Sequence, residues 1–91
     1  MSDQQHVTIR VDGIVQGVNY RQAARQAAER LQITGYACNE ADGSVIVEAE
    51  GLPAALEQFV TWCRNGPDAA RVDRISVSHG PLVGYVGFSR R

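Results

Sequence analysis

The chain has 91 residues, 44% of them hydrophobic and 21% charged, with a net charge of −1 and a sequence pI near 6.0. That is the size of one domain, residues 1–91, with enough apolar content for one modest core and too little charge for a disordered segment. The balanced charge excludes the broad basic footprint of a nucleic-acid binder, and no apolar run approaches the roughly 20 residues of a membrane span.

Met1 to Gln5 is polar and lacks the charged and apolar regions of a signal peptide. Cys38 and Cys63 are far apart, so we expect reduced thiols in a cytoplasmic protein. Together with His6 and His79 they show no ligand spacing, and neither a metal nor a cofactor is expected.

Val7, Ile9 and Val11 alternate with Thr8, Arg10 and Asp12, the pattern of a half-buried strand that ends near Gly13. A loop over residues 14–20 follows. From about Arg21 to Gln32, Ala24, Ala27, Ala28 and Leu31 recur at helical spacing, with Gln22, Arg25, Gln26, Glu29 and Arg30 on the other face. An alanine stripe lets such a helix lie close to a sheet, and Tyr20 belongs to the core at its entrance. Gly35 breaks the pattern, and Tyr36 to Asn39 reads as a second strand.

Asp42-Gly43 signals a hairpin, after which Ser44 to Glu50 carries Val45, Val47 and Ala49 on one face. Pro53 suits the first position of a second helix, whose stripe is Leu56, Phe59, Val60 and Cys63. Trp62 lies off the centre of that stripe and is expected to cover a sheet edge. Asn65-Gly66-Pro67 stops the helix. Val72 to His79 is a fourth strand, Gly80-Pro81 a turn, and Val83 to Phe88 a possible short fifth strand. The order βαββαβ places both helices on one face of an antiparallel sheet of four to five strands, an α+β, ferredoxin-like sandwich.

The turn at residues 13–21, Gly-Ile-Val-Gln-Gly-Val-Asn-Tyr-Arg, opens onto a helix N-terminus, where unpaired amide N–H groups suit an anion and phosphate above all. Arg21 falls in the first helical turn, where the macrodipole opposes a cation by roughly 0.3–1 kcal/mol. A bound anion would remove that conflict. By itself a glycine-containing turn is a weak signal, and a lone Asn39 beside a hairpin reads as a turn-proximal polar residue.

These residues resemble a known family. Gly13 to Arg21 is similar to the first signature of the acylphosphatases. The stretch Gly35-Tyr-Ala-Cys-Asn39, followed by Asp42-Gly43-Ser-Val-Ile-Val-Glu-Ala-Glu-Gly51, is similar to the second. Gly66-Pro67, Ala70 to Asp73 and the tail Phe88 to Arg91 extend the resemblance over nearly the whole chain. The chain departs from the family at Tyr36, where tryptophan is usual and a buried aromatic substitute is expected. It departs again at Ala37 and Cys38, and at Asn19, where an aromatic or small residue is usual.

The resemblance implies hydrolysis of a carboxyl-phosphate anhydride to a carboxylate and phosphate, without metal or cofactor. Residues 16–21 (Gln16, Gly17, Val18, Asn19, Tyr20 and Arg21) would wrap the phosphoryl group with backbone N–H donors. Arg21 would add a charge-assisted contact, and Asn39 would hold the attacking water. No protein nucleophile or general base is evident in the motifs. A good leaving group and a loose transition state tolerate that, with the substrate phosphate accepting the water's proton.

The partner expected is a small acyl phosphate, and nothing demands more than a monomer. Acetyl, carbamoyl, aminoacyl and glycerate phosphates all fit a loop that reads mainly phosphate. The alternative is a noncatalytic phosphate- or anion-binding module on the same fold. An RNA-recognition module would need aromatic platforms that Val7 to Val11 and Val45 to Ala49 lack.

Overall fold

The computed structural model describes residues 3–91. Its elements are β1 (Gln5–Ile14), α1 (Tyr20–Arg30), β2 (Thr34–Asn39), β3 (Val45–Gly51), α2 (Pro53–Asn65), β4 (Arg71–Gly80) and β5 (Phe88–Arg90). The strands form one sheet in the order β4-β1-β3-β2-β5. No described helix is long and apolar enough to cross a membrane.

Alternation fixes the register. Val7, Ile9 and Val11 stand opposite Ala49, Val47 and Val45, and Ala37 stands opposite Val47. One face of three strands is thus apolar and fully buried. Ala24, Ala27 and Ala28 of α1 and Leu56, Phe59 and Cys63 of α2 close over it. Truncating a core aromatic such as Phe59 to alanine costs about 3–5 kcal/mol.

Helix α1 ends two residues earlier than its periodicity suggests. The Ile33 amide bonds Ala28 O and the Gln32 amide bonds Glu29 O, a Schellman closure with Gln32 in the left-handed region at φ 56°. The chain is then already extended at Thr34, two residues before Tyr36. The sheet meets its other irregularity at Asp12/Gly13, where the β1–β4 register shifts. A Cβ at Gly13 would lie 2.1 Å from Arg71 O, so only glycine lets β1 pass β4 there and turn into the loop that follows.

Two expectations change. The fifth strand is residues 88–90 rather than 83–88, and it pairs parallel to β2, so the sheet is mixed. Residues 81–87 instead form a strap. Glu50 draws the Val83 and Gly84 amides to its carboxylate at 2.6 and 3.0 Å, which removes them from any ladder. Trp62 stacks on Phe59 with centroids 6.3 Å apart and meets Tyr20 at 5.4 Å, at the junction of the two helices. Tyr36 is half-buried, between the edge of Tyr85 and the guanidinium of Arg91, 3.8 Å above its ring.

Under the strap lies a polar cluster. His6 Nδ1 meets Glu50 at 2.7 Å and Nε2 meets Glu48 at 2.6 Å, while the Thr8 hydroxyl donates to Glu48. Carboxylates only accept, so both ring nitrogens donate and the ring is an imidazolium. Burial alone would lower the His6 pKa, but the hydrogen bonds to Glu50 and Glu48 outweigh it and the pKa rises. Burial would likewise raise Glu50. The Val83 amide, His6 and the Gly84 amide reverse this and hold it low.

Candidate active site

The β1–α1 connection is anchored at two apolar points. Val15 is fully buried and Val18 packs against the core. Gly17 and Asn19, on either side of Val18, are exposed. Gln16 fastens the loop sideways: its Nε2 donates to Glu40 O at 2.7 Å and to Ser44 O at 2.9 Å. Those acceptors belong to the β2–β3 hairpin, whose Asp42 carboxylate accepts from the Ser44 hydroxyl and amide. The Ser44 bonds and Arg10 hold that carboxyl far below the usual range. Gln16 therefore ties the loop to the strand end that carries Asn39.

Gly17 and Asn19 have φ of 73° and 67°. Left-handed residues in a short loop turn successive N–H groups into a concavity. Asn19 occupies the N-cap position of α1 yet makes no side-chain capping bond. The first-turn amides have no intrahelical acceptor by geometry. Among the described residues, none of the amides of residues 16–19 donates to a backbone oxygen. A Cβ added at Gly17 would meet no atom within 4 Å, so its requirement is the backbone angle and open access to the loop.

Arg21 projects from the first turn, and its Nη1 donates to the main-chain oxygen of Arg91 at 2.6 Å. The tail is brought there by three contacts. Phe88 is buried edge-on to Phe59, the Arg91 amide donates to Ala37 O, and the Arg91 guanidinium lies over Tyr36. Asn39, the last residue of β2, faces Val45. Its Oδ1 is buried and has no hydrogen-bond partner.

These pieces enclose a recess of about 100 Å³. Gly17, Asn19, Tyr20, Arg21 and Asn39 line it together. Gln16 and Val18 do not; the first positions the loop and the second roots it. Gln22, Val15 and Arg90 also line it, and were not singled out from the sequence. Gln22 reads as solvent-facing from helical periodicity alone, and only its place in the first turn hinted otherwise. A larger groove of about 360 Å³ runs between α2 and β4 past Leu56, Val60 and Val77. It takes no residue from the 13–21 turn or from the β2–β3 hairpin, so size does not identify the site.

The charged side chains lining the recess are Arg21 and Arg90, an environment for a dianion. No His, Cys, Asp or Glu lines it. Tyr20 does, but its hydroxyl points away and donates to Cys63 O at 2.8 Å. Burial pushes its pKa far up, so the phenol is a fixed donor. The arrangement can bind a phosphoryl group and orient a small molecule against it. It contains no protein nucleophile.

The acylphosphatase family model matches residues 7–89. The chain belongs to the acylphosphatase family. An acylphosphatase of Anaeromyxobacter sp. (strain Fw109-5) is 46% identical over 87 residues, covering 96% of this chain and 94% of that protein. A solved acylphosphatase from Coxiella burnetii superposes with a TM-score of 0.94 at 30% identity, covering 98% and 94% of the two chains. The Bacillus subtilis acylphosphatase superposes at 0.93 with 36% identity, covering 96% and 98%. The activity that this membership carries is hydrolysis of acyl phosphates, and the ferredoxin-like α+β fold agrees with it.

Proposed function

We propose that the recess beside Arg21 and Asn39 is where this acylphosphatase hydrolyses small acyl phosphates, and that it works without a metal. The amides of residues 16–21 and the Arg21 guanidinium hold the phosphoryl oxygens. Asn39 holds a water through its side-chain amide, in line with the bond to the acyl oxygen. The water oxygen attacks phosphorus, the P–O bond to the acyl group breaks, and the electron pair leaves with the carboxylate. One water proton passes to a phosphoryl oxygen, so an acyl phosphate dianion and water give a carboxylate and dihydrogen phosphate. The phosphate itself is the base, which fits a recess lined by no His, Cys, Asp or Glu. The single observation carrying this reading is that the left-handed loop, Arg21 and an unpartnered Asn39 line one recess of phosphoryl size. Every group comes from one chain, and the active form we propose is a cytoplasmic monomer with no nucleic-acid partner.

The test is benzoyl phosphate hydrolysis in the presence of a chelator, with inorganic phosphate as a competing product. Wild type turns over. Arg21→Ala loses about 10³-fold or more and its inhibition by phosphate weakens in parallel. Asn39→Ala loses about 10²–10³-fold in kcat while phosphate inhibition stays near wild type. A folded wild type that binds phosphate but releases no benzoate would make the chain a binding module.

A further inference from the structure

Among the described residues, two buried side-chain polar atoms lack a hydrogen-bond partner, Asn39 Oδ1 and Gln22 Oε1. Both residues line the same recess of about 100 Å³. A buried acceptor without a donor costs about 1–3 kcal/mol, and the other buried side-chain polar atoms among the described residues are bonded, down to the Tyr20 hydroxyl. Two such costs converging on one small site ask for a ligand that satisfies both.

The chemistry of that ligand follows from the donor count. A phosphoryl dianion brings only acceptors, so it suits the loop amides and Arg21 and cannot satisfy either amide oxygen. A water brings two O–H donors. A water that gave one hydrogen to Asn39 Oδ1 and the other to Gln22 Oε1 would have both O–H bonds fixed and its oxygen lone pairs free for phosphorus. Gln22 is well rooted to hold its end of that water, because it sits in the first turn of α1, next in sequence to Arg21.

We propose that Gln22 is a second water-positioning residue, which with Asn39 forms a two-acceptor clamp on the nucleophile. This rests on the reading of Arg21 and Asn39 given above. The clamp selects water by counting hydrogens, because an alcohol has one O–H and leaves one acceptor unsatisfied. Wild type therefore discriminates against alcohols as phosphoryl acceptors.

The experiment is benzoyl phosphate turnover in water–methanol mixtures, quantifying inorganic phosphate against methyl phosphate for wild type, Gln22→Met, Gln22→Leu, Asn39→Ala and Gln22→Met/Asn39→Ala. Methyl phosphate forms when the methanol oxygen attacks phosphorus and its proton passes to a phosphoryl oxygen, with benzoate leaving as before. We expect Gln22→Met and Gln22→Leu to lower kcat by about tenfold or more, with KM and phosphate inhibition within about twofold of wild type. The methyl phosphate fraction should rise several-fold in both. Melting temperatures should hold or rise, since an unsatisfied acceptor has been removed. The double variant should lose several-fold less kcat than the product of the single losses, because both residues hold one water.

If both Gln22 variants keep wild-type kcat and partition while Arg21→Ala is inactive, the clamp is wrong and the phosphate site stands. Weakened phosphate inhibition in the Gln22 variants would make the side chain a phosphate ligand and overturn the clamp. Opposite partition shifts in Met and Leu would trace the effect to packing and overturn it too. An inactive wild type would overturn the site reading itself.

Discussion

Two polar clusters sit at opposite ends of the same sheet, and they handle their hydrogen bonds in opposite ways. At the end where His6 faces Glu50, each ring nitrogen has a carboxylate, each carboxylate has further donors, and the strap amides are taken up. At the end where Asn39 faces Val45, about 15–20 Å away along the strands at 3.3 Å per residue, an amide oxygen is orphaned and the amides of residues 16–19 have no backbone acceptor among the described residues. Both clusters contain buried polar groups, and both cost stability to desolvate. The first is closed by the chain itself and reads as structure. The second is left open by the chain, and we read it as the place that a substrate and a water complete. What marks a site in this fold is the unmet hydrogen bond, rather than polarity, burial or cavity size.

The sharpest way to break the comparison is to remove one charge from each end. Arg21→Ala should lower kcat/KM by about 10³-fold or more, equivalent to about 4 kcal/mol of transition-state stabilisation. Its melting temperature should move little, because the side chain is tied by one hydrogen bond to the Arg91 oxygen. Glu50→Ala should do the reverse. It leaves His6 short of a partner and two strap amides unbonded, at about 2–4 kcal/mol, or roughly 10–25 °C in Tm for a domain of this size. Turnover measured where the variant is folded should stay within about threefold of wild type. A Glu50→Ala enzyme that is stable but slow would end the division of labour.

The same cluster predicts a pH dependence of stability. Glu50 is held low, so its contribution is present above the unfolded carboxyl value of roughly 4.3 and is lost as pH falls through its lower folded value. His6 is raised, so its contribution is complete below roughly 6.5 and is lost as pH rises through its higher folded value. Thermal melts across pH should therefore peak between those limits. In His6→Gln the alkaline fall should flatten, and a fall identical to wild type would place the responsible group elsewhere.

How far each end was legible from the sequence follows from what each depends on. The loop, the place of Arg21 in the first helical turn and the hairpin before Val45 are local patterns that helix and strand periods carry, while the roles of Arg21 and Asn39 are legible only through the resemblance to the family's two signatures. The pairing of His6 with Glu50 needs the β1–β3 register, which no hairpin connects and no local rule sets. Residues 83–88 read as a short strand from the sequence, but Glu50 claims the Val83 and Gly84 amides and only residues 88–90 reach the sheet. Gln22 is hidden because periodicity assigns it to solvent, while Asn39 and Arg90, which line the recess with it, come from distant elements. The Gln16 tether likewise depends on a hairpin two elements away.

A smaller effect sharpens the functional end. Gly17→Ala places a Cβ in open space at φ 73°, and the left-handed backbone alone should cost about 1–2 kcal/mol. Gly17→Asn should recover part of that, since asparagine tolerates this region. Both variants keep a Cβ on the loop proposed to hold the phosphoryl group, so both should weaken phosphate inhibition by about tenfold. Recovery of stability without recovery of phosphate binding separates the conformational requirement from the ligand's. Wild-type inhibition in Gly17→Asn would mean that the phosphate does not sit against this part of the loop.

The smallest effect belongs to Tyr20, which touches both categories. Its ring helps line the recess, while its hydroxyl is turned to Cys63 O in the junction of the two helices. Beside it the Cys63 thiol is itself pushed up to about 12 by burial, so neither group exchanges a proton near neutrality. Tyr20→Phe keeps the ring and its contact with Trp62 and deletes one neutral hydrogen bond, worth about 1 kcal/mol or roughly 4–8 °C in Tm. The pH profile of kcat should keep its shape and its height within about twofold. A changed profile would mean that the phenol takes part in proton transfer, and the recess would then contain the base that its lining otherwise lacks. An unchanged profile with a lowered Tm leaves Tyr20 as the wall of the site and the anchor of the helix pair, satisfied on its own account and therefore silent in catalysis.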